Sequence, residues 1–254
     1  MEFGEGLQQG NALIVGASQG IGLGFVRHLL NDDRMTCIYA TYRHPNTASE
    51  LLALQEHPKL ICWQMNATVE EEIAQRVQNI QANGNGLDLV INCIGVLHNS
   101  HLQPEKSLRQ IDSANLLQYF QVNSLPTVLL AKHLQPLLKK PNTSVFTTIS
   151  AKVGSIADNR LGGWYGYRAS KAALNMFLKT IAIEYRRKNP HTIVVALHPG
   201  TTNTRLSKPF QRNVPPEKLF SVDRTVSQLL AVINQLTEED NGMFFSWDGS
   251  LLPW

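Results

Sequence analysis

Tyr167 and Lys171 stand four residues apart in Tyr167-Arg-Ala-Ser-Lys171. On a helix that spacing puts both side chains on one face, one turn apart. The pair suits proton transfer. A phenol of pKa ~10 must move by up to ~3 units to exchange protons easily near neutrality. That shift is worth ~4 kcal/mol, the scale of one cation at ~4 Å where the effective dielectric is ~20. Lys171 supplies that cation. Ser150 closes the apolar run Asn142–Ser150, and its hydroxyl could hold a substrate oxygen beside Tyr167. A serine at a strand end is usually structural, so Ser150 draws its weight from Tyr167 and Lys171. Asn123 lies in the helical run Gln118-Tyr-Phe-Gln-Val-Asn-Ser-Leu-Pro. Its amide competes for backbone bonds, and Pro126 removes a helix hydrogen bond three residues on. A functional irregularity is expected there; a solvent-facing Asn is the plainer reading.

A second constellation has the chemistry of phosphate binding. The apolar run Ala12–Val15 leads directly into Gly16-Ala-Ser-Gln-Gly20-Ile-Gly22. A strand that turns sharply into a helix needs glycine for positive φ, and a missing Cβ lets a pyrophosphate approach the backbone. The N–H groups at the helix start then face the phosphates. The next apolar run ends Ala40-Thr41-Tyr42-Arg43. A site for NAD usually places Asp or Glu there to take the ribose 2′-OH. No acid is present, and Arg43 can fork onto a 2′-phosphate. NADP is therefore the expected cofactor, with NAD disfavoured.

These residues need elements to hold them. Strand candidates are Ala12–Val15, Thr36–Tyr42, Leu60–Met65, Leu87–Asn92, Asn142–Ser150, Thr192–His198 and Met243–Trp247. Most are continuously apolar, as strands buried on both faces should be. Helical stretches alternate with them: Gly20–Asn31, Ala48–His57, Val69–Gln81, Ile111–Leu138, Tyr165–Lys188 and Val222–Leu236. Pro141 and Pro190 mark two helix exits. The alternation predicts an α/β fold, a single Rossmann-type doubly wound parallel sheet with helices on both faces. One domain over 1–254 is expected, with Thr201–Pro216 as an irregular loop or lid.

Composition narrows the function classes. Of 254 residues 43% are apolar and 17% charged, below the ~25% of an average domain. A net charge of +3 is too mild for a nucleic-acid face. The pairs Lys139–Lys140 and Arg186–Arg187 read as solvated cations near helix ends. Cys37, Cys62 and Cys93 each fall in a strand-like run and read as small hydrophobes in a reducing compartment. Met1–Gly10 has no signal-peptide character. No run approaches the ~18 apolar residues of a membrane span. A cytoplasmic location is expected. The eight histidines form no metal signature, and His98 is expected in a surface loop.

Taken together, these motifs resemble the short-chain dehydrogenase/reductase family over nearly the whole chain. The family's glycine motif matches Gly16, Gly20 and Gly22, with Val15 where a threonine usually stands. Its Asn-Asn-Ala-Gly corresponds to Asn92-Cys93-Ile94-Gly95, and its acidic adenine contact falls at Asn66. Its Pro-Gly turn at the nicotinamide is Pro199-Gly200, followed by Thr202 and Thr204. Its catalytic tetrad maps onto Asn123, Ser150, Tyr167 and Lys171. The separation of Ser150 and Tyr167 exceeds the family's commonest spacing. The segment between them, with Tyr167-Arg-Ala-Ser-Lys-Ala-Ala-Leu-Asn175 and Trp247-Asp-Gly-Ser-Leu-Leu-Pro-Trp254, resembles the C-factor and Sniffer-type carbonyl reductase branch.

The resemblance implies hydride transfer between a nicotinamide cofactor and a carbonyl or alcohol substrate. Tyr167 donates the proton, Ser150 orients the oxygen, and Lys171 tunes Tyr167 and holds the nicotinamide ribose. Asn123 supports a proton-relaying water. The implied cofactor contacts are Gly16, Ser18, Gln19, Gly20, Ile21, Gly22, Arg43, Asn66, Ala67, Asn92, Ile94, Gly95, Tyr167, Lys171, Pro199, Gly200, Thr202 and Thr204. Val153, Trp164, Leu206 and Phe210 are candidate pocket walls for an apolar or aromatic carbonyl compound. The partners expected are a small-molecule substrate and further copies of the chain, as a homodimer or homotetramer, with neither nucleic acid nor membrane. Two readings compete. One is an NADP-binding signalling or regulatory protein of C-factor type with little catalysis. The other is a sugar epimerase or dehydratase, whose larger substrate portion has no counterpart here.

Overall fold

The computed structural model describes residues 10–84, 86–138 and 142–254. In chain order the elements are β1 Gly10–Val15, α1 Gly20–Leu30, β2 Met35–Tyr42, α2 Ser49–Leu52, β3 Leu60–Gln64, α3 Glu70–Ala82, β4 Leu89–Asn92, α4 Ser113–Asn123, α5 Leu125–Leu138, β5 Ser144–Ile149, α6 Tyr165–Lys188, β6 Thr192–His198, β7 Thr201–Thr202, β8 Leu219–Phe220, α7 Val222–Gln235 and β9 Phe244–Ser246. The seven apolar runs form one parallel sheet in the order β3-β2-β1-β4-β5-β6-β9. Residues 1–9, Lys139, Lys140 and Pro141 lie outside the described residues, and with them the readings placed on Met1–Gly10, on the lysine pair and on that helix exit.

The sheet is covered on both faces, which explains the unbroken apolar runs. Successive strand side chains point to opposite faces. In β1, Ala12 and Ile14 join one core with α1 and α7, while Leu13 and Val15 join another with α3, α5 and α6. Strand order reverses between β1 and β4, and a crevice opens where neighbouring crossovers leave in opposite directions. Every motif expected to do chemistry sits at that carboxyl edge.

Three expectations about elements change. The run Ile111–Leu138 divides at Ser124 into α4 and α5, because Pro126 has no N–H to continue the ladder. Ala48–His57 keeps only the short helix α2, followed by three-residue turns. Pro58 disfavours helical backbone at His57 and so helps to end it. Thr201–Pro216 is more ordered than a bare loop. Its start forms β7 against β8, and Lys208–Asn213 winds into a 3-10 helix.

Candidate active site

The glycine turn joins β1 to α1. Gly16 and Gly20 have φ of +82° and +58°, a region L side chains rarely enter. Gly22 is needed for a different reason: a Cβ there would stand 2.2 Å from the Gly16 carbonyl oxygen. Gln19 caps α1 without a side-chain bond, and the first turn holds no acid. Its leading N–H groups are thus left without a side-chain cap, with Ser18, Gln19 and Ile21 around them. The turn is held from β2. Thr41 is buried; its Oγ1 accepts from the Gly16 N–H at 3.3 Å and its carbonyl from the Ala17 N–H at 2.7 Å.

Arg43 is exposed just beyond β2, and among the described residues its guanidinium has no hydrogen-bond or ion-pair partner. Gln64 pins its backbone by donating to the Arg43 carbonyl at 3.0 Å. Asn66 and buried Ala67 follow β3. The Asn66 Oδ1 accepts from the Thr68 N–H and hydroxyl, at 3.2 and 2.9 Å. Asn66 can therefore offer a base only its Nδ2 donor, not the acceptor an acidic residue would supply. Asn92 also turns inward, accepting from the Ile94 N–H at 3.1 Å and donating to Thr127 at 3.1 Å. It shapes the backbone of Ile94 and Gly95, and its side chain does not reach the crevice. A Cβ on Gly95 would lie 3.5 Å from Lys171 Nζ and 3.7 Å from Asn123 Oδ1, so these three meet.

Asn123 ends α4 at the break. Its Oδ1 accepts from the Val96 N–H at 2.7 Å, and its Nδ2 donates to the Val96 carbonyl and Ser170 Oγ, both at 3.0 Å. The amide thus fastens the segment after β4 to α6. Pro199 and Gly200 follow β6, with Gly200 at φ +69°. Thr204 approaches the glycine turn: a Cβ on Gly20 would lie 3.3 Å from its methyl. Thr202 is buried with its hydroxyl 2.8 Å from that of Thr225, and its carbonyl accepts from the Ser207 hydroxyl. His198 ties the two strand ends together, accepting the Lys152 N–H at 3.3 Å on Nδ1. Burial first, then the Lys152 charge, pulls its pKa down to about 4, so it stays neutral.

Tyr167 and Lys171 lie on the buried face of α6. Lys171 Nζ donates to the Ile149 carbonyl at 3.0 Å, and burial pulls its pKa down to about 8. The expected lowering of the Tyr167 pKa is absent here. Burial raises it, and no charge offsets that, because the Lys171 ammonium is turned to the end of β5. Ser150, at the end of β5, donates to Asn175 Oδ1 at 2.6 Å. Asn175 was not among the expected site residues. Its one signal was spacing, for it lies one turn beyond Lys171 on the same face.

An apolar cluster surrounds Tyr167. Leu97, Leu102 and Tyr119 pack on it, with Val153, Trp164, Leu206 and Phe210 around them. Trp164 meets Phe210 edge-on at 5.0 Å and Tyr167 at 6.2 Å. His98 keeps its expected loop position, half-buried, and stands 5.7 Å from Phe210, which the 3-10 helix brings beside it. Trp164 has φ +53°, the left-handed region. Glu105, buried and also unforeseen, holds that turn: its carbonyl accepts the Trp164 N–H at 2.5 Å and its carboxylate the Gly166 N–H at 3.1 Å.

The sequence model of the short chain dehydrogenase family matches residues 10–215. The chain belongs to that family. This short-chain dehydrogenase is 30% identical to the NADPH-bound carbonyl reductase from chicken fatty liver, with a TM-score of 0.87 over 99% of this chain and 97% of that one. It is 27% identical to carbonyl reductase Sniffer of D. melanogaster, with a TM-score of 0.86 over 97% of this chain and 100% of that one. It is 30% identical over 148 residues to C-signal of Myxococcus xanthus, covering 58% of this chain and 84% of that protein. The enzyme is thus an oxidoreductase whose structural neighbours are carbonyl reductases. Among the described residues no helix is long and apolar enough to cross a membrane.

Proposed function

We propose that this short-chain dehydrogenase reduces an apolar or aromatic carbonyl compound with NADPH, through Asn123, Ser150, Tyr167 and Lys171. The observation that carries this reading is the phenol of Tyr167 in an apolar cluster, one helical turn from a buried lysine. Burial keeps that phenol protonated at neutral pH, which suits a proton donor and favours reduction. Tyr167 donates its proton to the substrate oxygen. Ser150 holds that oxygen, Lys171 provides positive charge at the end of β5, and Asn123 fixes the segment that Lys171 faces. Trp164, Val153, Leu206 and Phe210 exclude water from the substrate. NADPH, when bound, supplies the hydride.

The residues fit that cofactor. The glycine turn is a cradle that a Cβ on Gly22 would fill, and the start of α1 offers uncapped N–H groups. Among the described residues the Arg43 guanidinium has no partner, at the position where an acid would select NAD. NADPH is expected to bind at least ~10-fold tighter than NADH, or ~1.4 kcal/mol. The test is a panel of aldehydes and ketones followed by nicotinamide absorbance, with titrations of both cofactors. Arg43→Ala should erase most of the preference; equal affinities in the unmodified protein would refute it. The likeness to C-signal favours a second reading, a cofactor-binding signalling protein. It predicts NADPH binding with no turnover across the panel.

Location and assembly belong to the same proposal. Three unpaired cysteines fit the cytoplasm. Helices α4 and α6 expose Leu117, Phe120, Met176 and Ile183, apolar surface that a self-complementary two-fold interface would cover. A homodimer or homotetramer through these helices is expected. Light scattering that finds only a monomer at micromolar concentration would overturn it.

A further inference from the structure

We infer that Asn175 is a positioning residue for Ser150: its amide aims the serine hydroxyl, and donation from Nδ2 to Ser150 Oγ frees the serine proton for the substrate oxygen. The inference rests on the role of Ser150 proposed above. Ser150 Oγ lies 2.6 Å from the amide oxygen of Asn175, and each residue is 3% exposed. The amide's Nδ2 is buried without a hydrogen-bond partner among the described residues.

A serine hydroxyl carries one proton. While that proton goes to Asn175 Oδ1, Ser150 can only accept. A carbonyl oxygen is itself an acceptor, so it gains nothing from Ser150 in that arrangement. Turning the amide over exchanges two atoms of similar size. Nδ2 then donates to Oγ, and the serine proton is released toward the crevice. Once a substrate oxygen accepts the serine proton, the orphaned atom simply changes from Nδ2 to Oδ1, so one unsatisfied buried atom is present in either state and the exchange has little net cost. Among the described residues nothing else hydrogen-bonds the Asn175 amide, so none of them fixes it in one orientation. Substrate, which needs a donor, selects the turned form. Asn175 also shares the face of α6 that carries Tyr167 and Lys171, so one rigid element sets all three.

The experiment is a mutant cycle on the NADPH-loaded enzyme, with kcat, KM and NADPH affinity measured on a carbonyl substrate taken from the panel. Ser150→Ala is expected to lower kcat by ~10²-fold, the scale of one lost transition-state donor. Asn175→Ala should lower it by ~10-fold with KM and NADPH affinity nearly unchanged, as for a hydrogen bond that acts only through another group. Asn175→Asp keeps the shape, lacks the Nδ2 donor, and should fall at least as far. In a Ser150→Ala background, Asn175→Ala should add less than ~2-fold, because the two act as one unit. An Asn175→Ala loss that persists in full in that background would overturn the inference while leaving Ser150 in place. So would unchanged kcat in Asn175→Ala. Unchanged kcat in Ser150→Ala would remove the proposed role of Ser150 and the inference with it. If the Asp variant fails to fold, the alanine cycle decides alone.

Discussion

Tyr167→Phe is expected to lower carbonyl turnover by ~10²-fold or more, the usual contribution of a positioned general acid, while NADPH affinity and thermal stability stay nearly unchanged. The structure separates the hydroxyl's chemistry from the ring's packing. The ring is buried and meets Tyr119 and Trp164 edge-on, each at 6.2 Å. Phe preserves those contacts. The hydroxyl has no hydrogen-bond partner among the described residues, so removing it breaks no internal bond. A purely structural tyrosine would therefore show no phenotype at all. The check is kcat on any carbonyl substrate the enzyme reduces, beside an NADPH titration and a melting curve. Full turnover in Tyr167→Phe would end the proposed mechanism whatever the fold.

Gly22→Ala should weaken NADPH binding by ~10²-fold, or ~2.7 kcal/mol, with turnover at fixed NADPH falling in step. The added methyl would stand 2.2 Å from the Gly16 carbonyl oxygen, 3.0 Å from its carbon and 3.1 Å from the Ala17 Cα. All three are backbone atoms, so no flexible side chain can give way. The start of α1 must shift off the turn, at the ~1–3 kcal/mol or more that overpacking costs. That shift moves the N–H groups proposed to meet the phosphates. Gly84→Ala is the control. Gly84 has φ +69° and open space around its absent Cβ. Alanine there should lower stability through backbone strain and leave cofactor affinity alone. Native NADPH affinity in a folded Gly22→Ala protein would show that the turn does not hold the cofactor.

Much of this architecture could be read locally. All seven sheet strands lie within or beside apolar runs, and α6 spans the Tyr165–Lys188 expected from its periodicity. Burial on both faces leaves its mark residue by residue, as does a helix that buries one stripe. The Tyr167–Lys171 pair and the glycine turn are equally local, since a helical turn and a tight bend fix their geometry within a few residues. The break at Ser124 was only half legible: Pro126 signalled trouble, but the uninterrupted helical pattern on either side concealed a division into two helices.

What joined these pieces was decided by tertiary structure. Thr41 holds the glycine turn because β2 lies beside β1 in the sheet. Asn175 meets Ser150 because α6 packs across the end of β5, 25 residues earlier. Glu105 supports the start of α6 from 61 residues away. No short spacing encodes such pairs, because they depend on which strands become neighbours and on which helices cover them. The charges follow the same logic. Spacing alone put a lysine beside Tyr167 and implied a lowered phenol pKa. Burial raised it instead, and the Ile149 carbonyl drew the ammonium aside. Desolvation is a property of everything packed around a group, so the residues that could do the chemistry were present in the sequence, while their ionisation and partners came only with the fold.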